Sequence, residues 1–252
     1  MTTFIFNSSI IYITGFSLNL ARWAFLNIAV LFTGGKDSVF AVHVLREKGL
    51  SVKVLISIVP SYEYSMLYHK PYPQVLMLQA YSMGIPLETA TVVNPERELN
   101  VLDEVLSRCV RRYGVSALAS GAVLSRFQRE RFEKIALKHG LEAIHPNWGI
   151  DQKTYLRTLT RYGIRFIIQS ITTMGLPHNM LGKVISMEDV ERILVLSEKY
   201  GFNPSFEGGE AETLVVDAPL FKYRIECEGS VEERSEYEAF FNIKKCWLTP
   251  KN

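Results

Sequence analysis

Cysteine is scarce in this 252-residue chain and poorly placed for chemistry. Cys109, Cys227 and Cys246 lie far apart, with no CxxC pair to hold zinc or an iron–sulfur cluster or to serve as a redox couple, and a reducing cytoplasm suits such usage best. Net charge is small as well, +2 at neutral pH, so no broad electrostatic attraction to nucleic acid or to an anionic membrane is implied. Long apolar runs are missing. The first 27 residues are rich in Phe, Ile and Leu, but Asn7, Ser8, Ser9, Thr14, Asn19 and Arg22 interrupt them, and neither a membrane span nor a cleavable signal fits. This leader is expected to lie outside the folded domain.

What the chain does have is IAVLFTGGKDS at residues 28–38. A short β-rich run ends in Thr33-Gly34-Gly35-Lys36-Asp37-Ser38, and a helical pattern follows, so the stretch reads as strand, tight turn, helix. Paired glycines let backbone N–H groups turn inward, and the helix points its positive end at the same spot; anions should collect there. A Walker A loop would need glycine at 30 and Ser or Thr at 37, where Val30 and Asp37 stand. A dinucleotide fingerprint would need glycine at 36, where Lys36 stands. A plain glycine turn with a solvated Lys36–Asp37 pair is the bland alternative.

Beyond that loop, strand and helix patterns alternate as far as residue 150. Helices are predicted over 39–48, 74–83, 94–113 and 126–139, with strands over 52–59, 88–93, 115–119 and 142–144. Such alternation argues for a parallel sheet covered on both faces, with ligands at the carboxyl ends of strands where their order reverses. Past Asp151 the rhythm changes. Helices over 151–162 and from a Ser186/Asp189 capping box to Tyr200 mix with strands over 165–171, 214–216, 222–227 and 239–248, as in a smaller α+β domain.

Two further clusters could carry chemistry. In SGAVLSRFQRERFE at 120–133, Ser120 and Gly121 end a strand, while Ser125, Gln128, Arg129 and Arg131 occupy the first turns of the next helix. A helix with a solvated charged face would look the same. In EGGEAETLVVD at 207–217, Glu207, Glu210, Glu212, Thr213 and Asp217 gather around a glycine pair, a composition able to bind a cationic group, hold Mg²⁺ or deprotonate an amine. An acidic surface hairpin is the alternative there. His69, in the aromatic loop 60–73, could face a substrate or simply pack.

Taken in order, these pieces resemble the diphthine–ammonia ligase family of the N-type ATP pyrophosphatase (PP-loop) superfamily. The matching stretches are LFTGGKDS at 31–38, YHKPYPQVLMLQAYSMGIPL at 68–87, SGAVLSRFQRERFEKIALKHGL at 120–141, HPNWG at 145–149 and EGGEAETLVVDAPLFK at 207–222. The first is shared by the whole superfamily, with Thr33 for its usual serine; the last is the most family-specific. Arg126 and Phe127 replace an acidic residue and Tyr common in relatives, and Ala211 a common Gly or Tyr.

The resemblance implies an α/β fold, a parallel, doubly wound (HUP/Rossmann-like) sheet over residues 28–150 that binds ATP, with a second, smaller α+β domain over 151–252 for the substrate. It implies a cytoplasmic enzyme that uses ATP, Mg²⁺ and ammonium to amidate diphthine on translation elongation factor 2 through an acyl-adenylate. Thr33, Gly34, Gly35, Lys36, Asp37, Ser38, Ser120 and Gly121 would hold the nucleotide, and fold analogy adds Ser57. Lys36, Asp37, Glu210 and Glu212 would be catalytic, Asp37 also on the metal. His69, Ser125, Gln128, Arg131, Glu207, Glu210, Glu212, Thr213 and Asp217 would face the substrate. Neither membrane nor direct nucleic-acid contact is expected, and a homodimer is allowed. A tRNA-modifying PP-loop enzyme, or a non-catalytic nucleotide-binding module, would share the first loop.

Overall fold

The computed structural model describes the backbone of residues 2–6 and 9–13, and residues 25–62, 65, 67–68 and 72–251 in full. The chain divides into two compact units, the first made of 1–33, 37–76 and 84–150 and the second of 34–36, 77–83 and 151–252. Thr2–Phe6 (β1) and Ser9–Ile13 (β2) pair antiparallel in a sheet of their own. Other parts of the expected leader, and His69, lie outside the described residues.

In the first unit, Asn27–Leu31 (β3), Ser51–Pro60 (β4), Leu87–Val92 (β5), Ala117–Ala119 (β6) and Glu142–Ile144 (β7) form a parallel sheet in the order β5-β4-β3-β6-β7. Ile28, Ala29 and Val30 of β3 are fully buried, as a central strand with partners on both sides requires. Helix α1 (Lys36–Glu47) follows β3, α2 (Pro73–Met83) follows β4, α3 (Glu98–Tyr113) follows β5 and α4 (Arg126–Lys138) follows β6. Leu102, Val105, Leu106 and Cys109 recur at helical spacing on α3 and pack with Ala29, Val54, Ile56 and Leu118 of the strands and Phe132, Ile135 and Ala136 of α4. Burying each such aliphatic side chain contributes about 1.5–3 kcal/mol, which is what fastens helices to the sheet. Burial also pushes the Cys109 thiol up to about 11, so it is a core group and not a nucleophile.

The strand order reverses between β3 and β6. Their following turns, 32–35 and 120–125, therefore leave the sheet side by side at the kind of position where open α/β sheets bind ligands. Two boundaries differ from expectation. Helix α1 begins at Lys36 and not at Val39, so Lys36, Asp37 and Ser38 form its first turn. Asn94 caps a short 3₁₀ turn, Pro95–Arg97, accepting from the Glu96 N–H at 3.1 Å, before α3 begins.

The second unit holds a four-stranded antiparallel sheet in the order β10-β11-β8-β9, from Arg165–Ile171 (β8), Ala211–Asp217 (β9), Tyr223–Ser235 (β10) and Glu238–Pro250 (β11). Helices α5 (Gln152–Tyr162) and α6 (Met187–Tyr200) are joined by a two-pronged Arg157–Glu191 pair and by Lys153–Glu198. The Ser186–Asp189 capping box opens α6 as the sequence predicts. Cys227 and Cys246 are a correction: they stand opposite each other in the β10–β11 register and are disulfide-bonded. Their spacing of 19 residues looks remote in sequence, yet a long hairpin turns that distance into direct neighbours.

Candidate active site

Within the first unit, three loops are bound together at the ends of β3, β6 and β7. Thr33 donates its N–H to the Ser38 hydroxyl at 3.2 Å and its own hydroxyl lies 3.3 Å from the same oxygen. Gly121 comes so close to α1 that a Cβ there would lie 2.7 Å from the Asp37 carbonyl carbon and from the Ser38 nitrogen; only glycine permits that approach. The fully buried Asn147 side chain donates from Nδ2 to the Asp37 carbonyl at 2.8 Å and to the Gly121 carbonyl at 3.4 Å. Ser120 Oγ sits 2.8 Å from His145 Nδ1, and His145 Nε2 is 3.7 Å from Glu133. Burial pulls the His145 pKa down to about 4, so the ring is neutral at physiological pH.

Ser57 in β4 is 1% exposed, and its hydroxyl has no hydrogen-bond partner among the described residues. It lies one residue beyond Ile56, whose carbonyl accepts from the Phe32 N–H at 2.8 Å just before the glycine turn. A buried hydroxyl lacking a partner at the edge of this glycine turn fits a nucleotide that would complete it. The chemistry of Asp37 suits Mg²⁺, which is typically held by one or two carboxylates together with substrate phosphates. Among the described residues no group of three or more His, Cys, Asp or Glu side chains is arranged for a metal.

In the second unit, Gly34–Lys36 run along β9. Val215 donates its N–H to the Gly34 carbonyl at 3.0 Å, and Lys36 donates its N–H to Thr213 Oγ1 at 3.2 Å. Gln79 is fully buried and donates from Nε2 to both the Gly34 carbonyl, at 2.9 Å, and the Val215 carbonyl, at 2.8 Å. The Lys36 side chain is 3% exposed, with its ammonium 5.7 Å from the centroid of the Phe206 ring.

The acidic motif sorts into distinct roles. Glu210 braces its own turn, accepting from the Asn203 N–H at 2.9 Å and from the Gly208 N–H at 2.8 Å. Strand β9 starts at Ala211 and not at Leu214, so Glu212 and Thr213 belong to it, and alternation sends their side chains to opposite faces. Because residues 211–217 are extended, Asp217 lies roughly 17 Å along the strand from Glu212. Asp217 is therefore not part of the cluster that the sequence suggests; it pairs with Lys251 at 2.6 Å. Glu207 and Glu212 are half-buried.

The remaining expected substrate residues are engaged in local structure. Ser125 is the N-cap of α4, accepting from the Gln128 N–H at 3.3 Å, and Gln128 donates from its side chain to the Leu67 carbonyl at 3.3 Å. The Arg131 guanidinium lies 3.3 Å from the centroid of the Phe127 ring. Sequence reasoning missed Gln79, His145, Asn147 and Phe206. The polar HPNWG turn after a strand was a signal for two of them, whereas Gln79 and Phe206 carry none.

Two models of one protein family match the chain, the diphthamide synthase N-terminal domain over residues 26–143 and the diphthamide synthase C-terminal domain over residues 151–249. The diphthine–ammonia ligase of Mus musculus is 30% identical over 235 residues, which cover 85% of this chain and 88% of that protein. That of Danio rerio is 32% identical over 224 residues, covering 79% and 86%. The Schizosaccharomyces pombe ligase is 30% identical over 244 residues, which cover 88% of this chain but 39% of that longer protein. Among solved structures, a predicted subunit of tRNA methyltransferase from Methanocaldococcus jannaschii covers 77% of this chain and 98% of its own, at 18% identity and a TM-score of 0.41.

Proposed function

This chain belongs to the diphthamide synthase family, and on that footing we propose that it is an ATP-dependent ligase that joins ammonia to the carboxylate of diphthine on translation elongation factor 2. The observation that carries the reading is the hydrogen bond from the Lys36 N–H to Thr213. It ties the first turn of the anion-binding helix to the strand bearing the family-specific acidic motif.

In the proposed reaction, a carboxylate oxygen of diphthine attacks the α-phosphorus of ATP and pyrophosphate leaves. Charge builds on the departing phosphates, where the N–H groups of the glycine turn, the positive end of α1 and the Lys36 ammonium stabilise it without rearranging. Asp37, together with the phosphates, would hold Mg²⁺, which would supply further neutralisation. A carboxylate of the acidic motif takes a proton from ammonium, the ammonia so formed attacks the acyl carbon, and AMP leaves carrying the oxygen that joined it while a second proton passes to solvent. Glu207 and Glu212 receive the cationic groups, ammonium or the trimethylammonium of diphthine, and Glu210 holds the turn that presents them. Thr33, Ser38, Ser57, Ser120 and Gly121 line the nucleotide.

No helix among the described residues is long and apolar enough to cross a membrane. Elongation factors act in the cytoplasm, and we place the enzyme there; in a reducing compartment Cys227 and Cys246 would stand as adjacent thiols. Pyrophosphate release by the purified protein tests the reading. It should require unamidated elongation factor 2, with ammonium needed for repeated turnover, and release driven by tRNA instead would overturn it. Lys36→Ala should abolish AMP formation, whereas Glu212→Gln should leave ATP binding intact and stop amidation.

A further inference from the structure

Phe206 has a backbone conformation that a bulky residue rarely adopts. Its φ is +66°, and it alone among the described non-glycine residues has a positive value. Neighbours enforce this. The Phe206 N–H donates to the Asn203 carbonyl at 3.0 Å, the Ser205 N–H donates to Asn203 Oδ1 at 2.9 Å, and Glu210 accepts from the Asn203 N–H at 2.9 Å. Glycine at 206 would meet the same turn without strain, so the turn does not explain the aromatic side chain. The ring itself is 4% exposed and has the Lys36 ammonium above it, 5.7 Å from its centroid. An ammonium as buried as that of Lys36 loses hydration, and an aromatic face returns part of the lost attraction.

We infer that Phe206 is a positioning residue for the pyrophosphate loop: Glu210 and Asn203 hold its backbone left-handed so that the ring face holds the Lys36 ammonium in place. This rests on the reading of Lys36 as a phosphate-binding group. It gives Glu210 a role through Phe206 that is separate from any contact with substrate.

Two measurements on the purified full chain test it, neither of which needs the elongation factor. One is ATP affinity by calorimetry; the other is the rate at which an amine-acylating reagent labels Lys36, read by mass spectrometry. Phe206→Leu keeps an apolar side chain but removes the aromatic face, and should weaken ATP binding about tenfold and change the Lys36 labelling rate at least threefold. Phe206→Tyr should stay within about twofold on both. Replacing Phe206 with ring-fluorinated phenylalanine keeps the shape and depletes the charge of the face, which guards against a leucine variant that folds badly; affinity should fall stepwise as fluorines are added. Equal behaviour of the leucine, tyrosine and fluorinated proteins would overturn the inference. Lys36→Ala serves as the reference: if it leaves ATP affinity unchanged, the phosphate-loop reading itself fails, whereas a large effect there with none at 206 removes Phe206 alone.

Discussion

His145 illustrates how a single side chain can be chemically committed without being an acid or base. Its ring is enclosed beside Ser120, and burial holds its pKa at about 4 against an ordinary value of 6.5. Between those two values the unfolded chain binds a proton that the folded chain refuses, so folded stability is complete above pH 6.5 and falls as the pH drops toward 4. The loss over that window should be roughly 3 kcal/mol, and in His145→Asn the corresponding part of the pH dependence should vanish. Urea unfolding of both proteins between those pH values measures it; identical slopes would mean that the ring titrates normally. At this scale the sequence is legible where backbone geometry dictates residue type. Gly121 is one such case, since a strand end running against a helix start tolerates no Cβ. It is illegible where a role depends on a partner far along the chain: Gln79 serves Gly34 and Val215, the latter 136 residues away, and no local pattern announces that.

Elements follow the same division. Alternating strand and helix patterns before residue 150 translate into the parallel sheet, because apolar runs such as Ile28–Phe32 have nowhere to go except between two covered faces. Boundaries failed where tertiary contacts extend an element. Helix α1 gains its first turn because Thr213 accepts the Lys36 N–H, and β9 gains Ala211 through Thr213 because β8 offers them a pairing edge. The 145–149 turn behaves as a clip, with Asn147 joining the start of α1 to the turn after β6. Asn147→Ala leaves two buried carbonyls short of a donor, which should cost about 1–3 kcal/mol of stability. It should also raise the KM for ATP several-fold while kcat changes less, because the loops lose their spacing and keep their chemical groups. A fall in kcat with unchanged KM would place Asn147 at the reacting atoms instead.

For the molecule as a whole, the proposal joins two chemistries on one continuous chain: phosphate binding at a glycine turn and amine handling at an acidic strand. Gly34–Lys36 lie in the same compact unit as that strand, although they are more than 170 residues from it in sequence. The resemblance to diphthine–ammonia ligases made the pairing of motifs readable, and the hydrogen bond to Thr213 is its physical counterpart. Asp217, by contrast, looked like a member of the acidic motif only because a sequence does not display the length of an extended strand. The most direct measurement follows heavy oxygen from the diphthine carboxylate of elongation factor 2 through one turnover with ATP and ammonium. An acyl-adenylate route deposits one labelled oxygen in AMP for each amide formed; label in inorganic phosphate, or amide formed with unlabelled AMP, would contradict it.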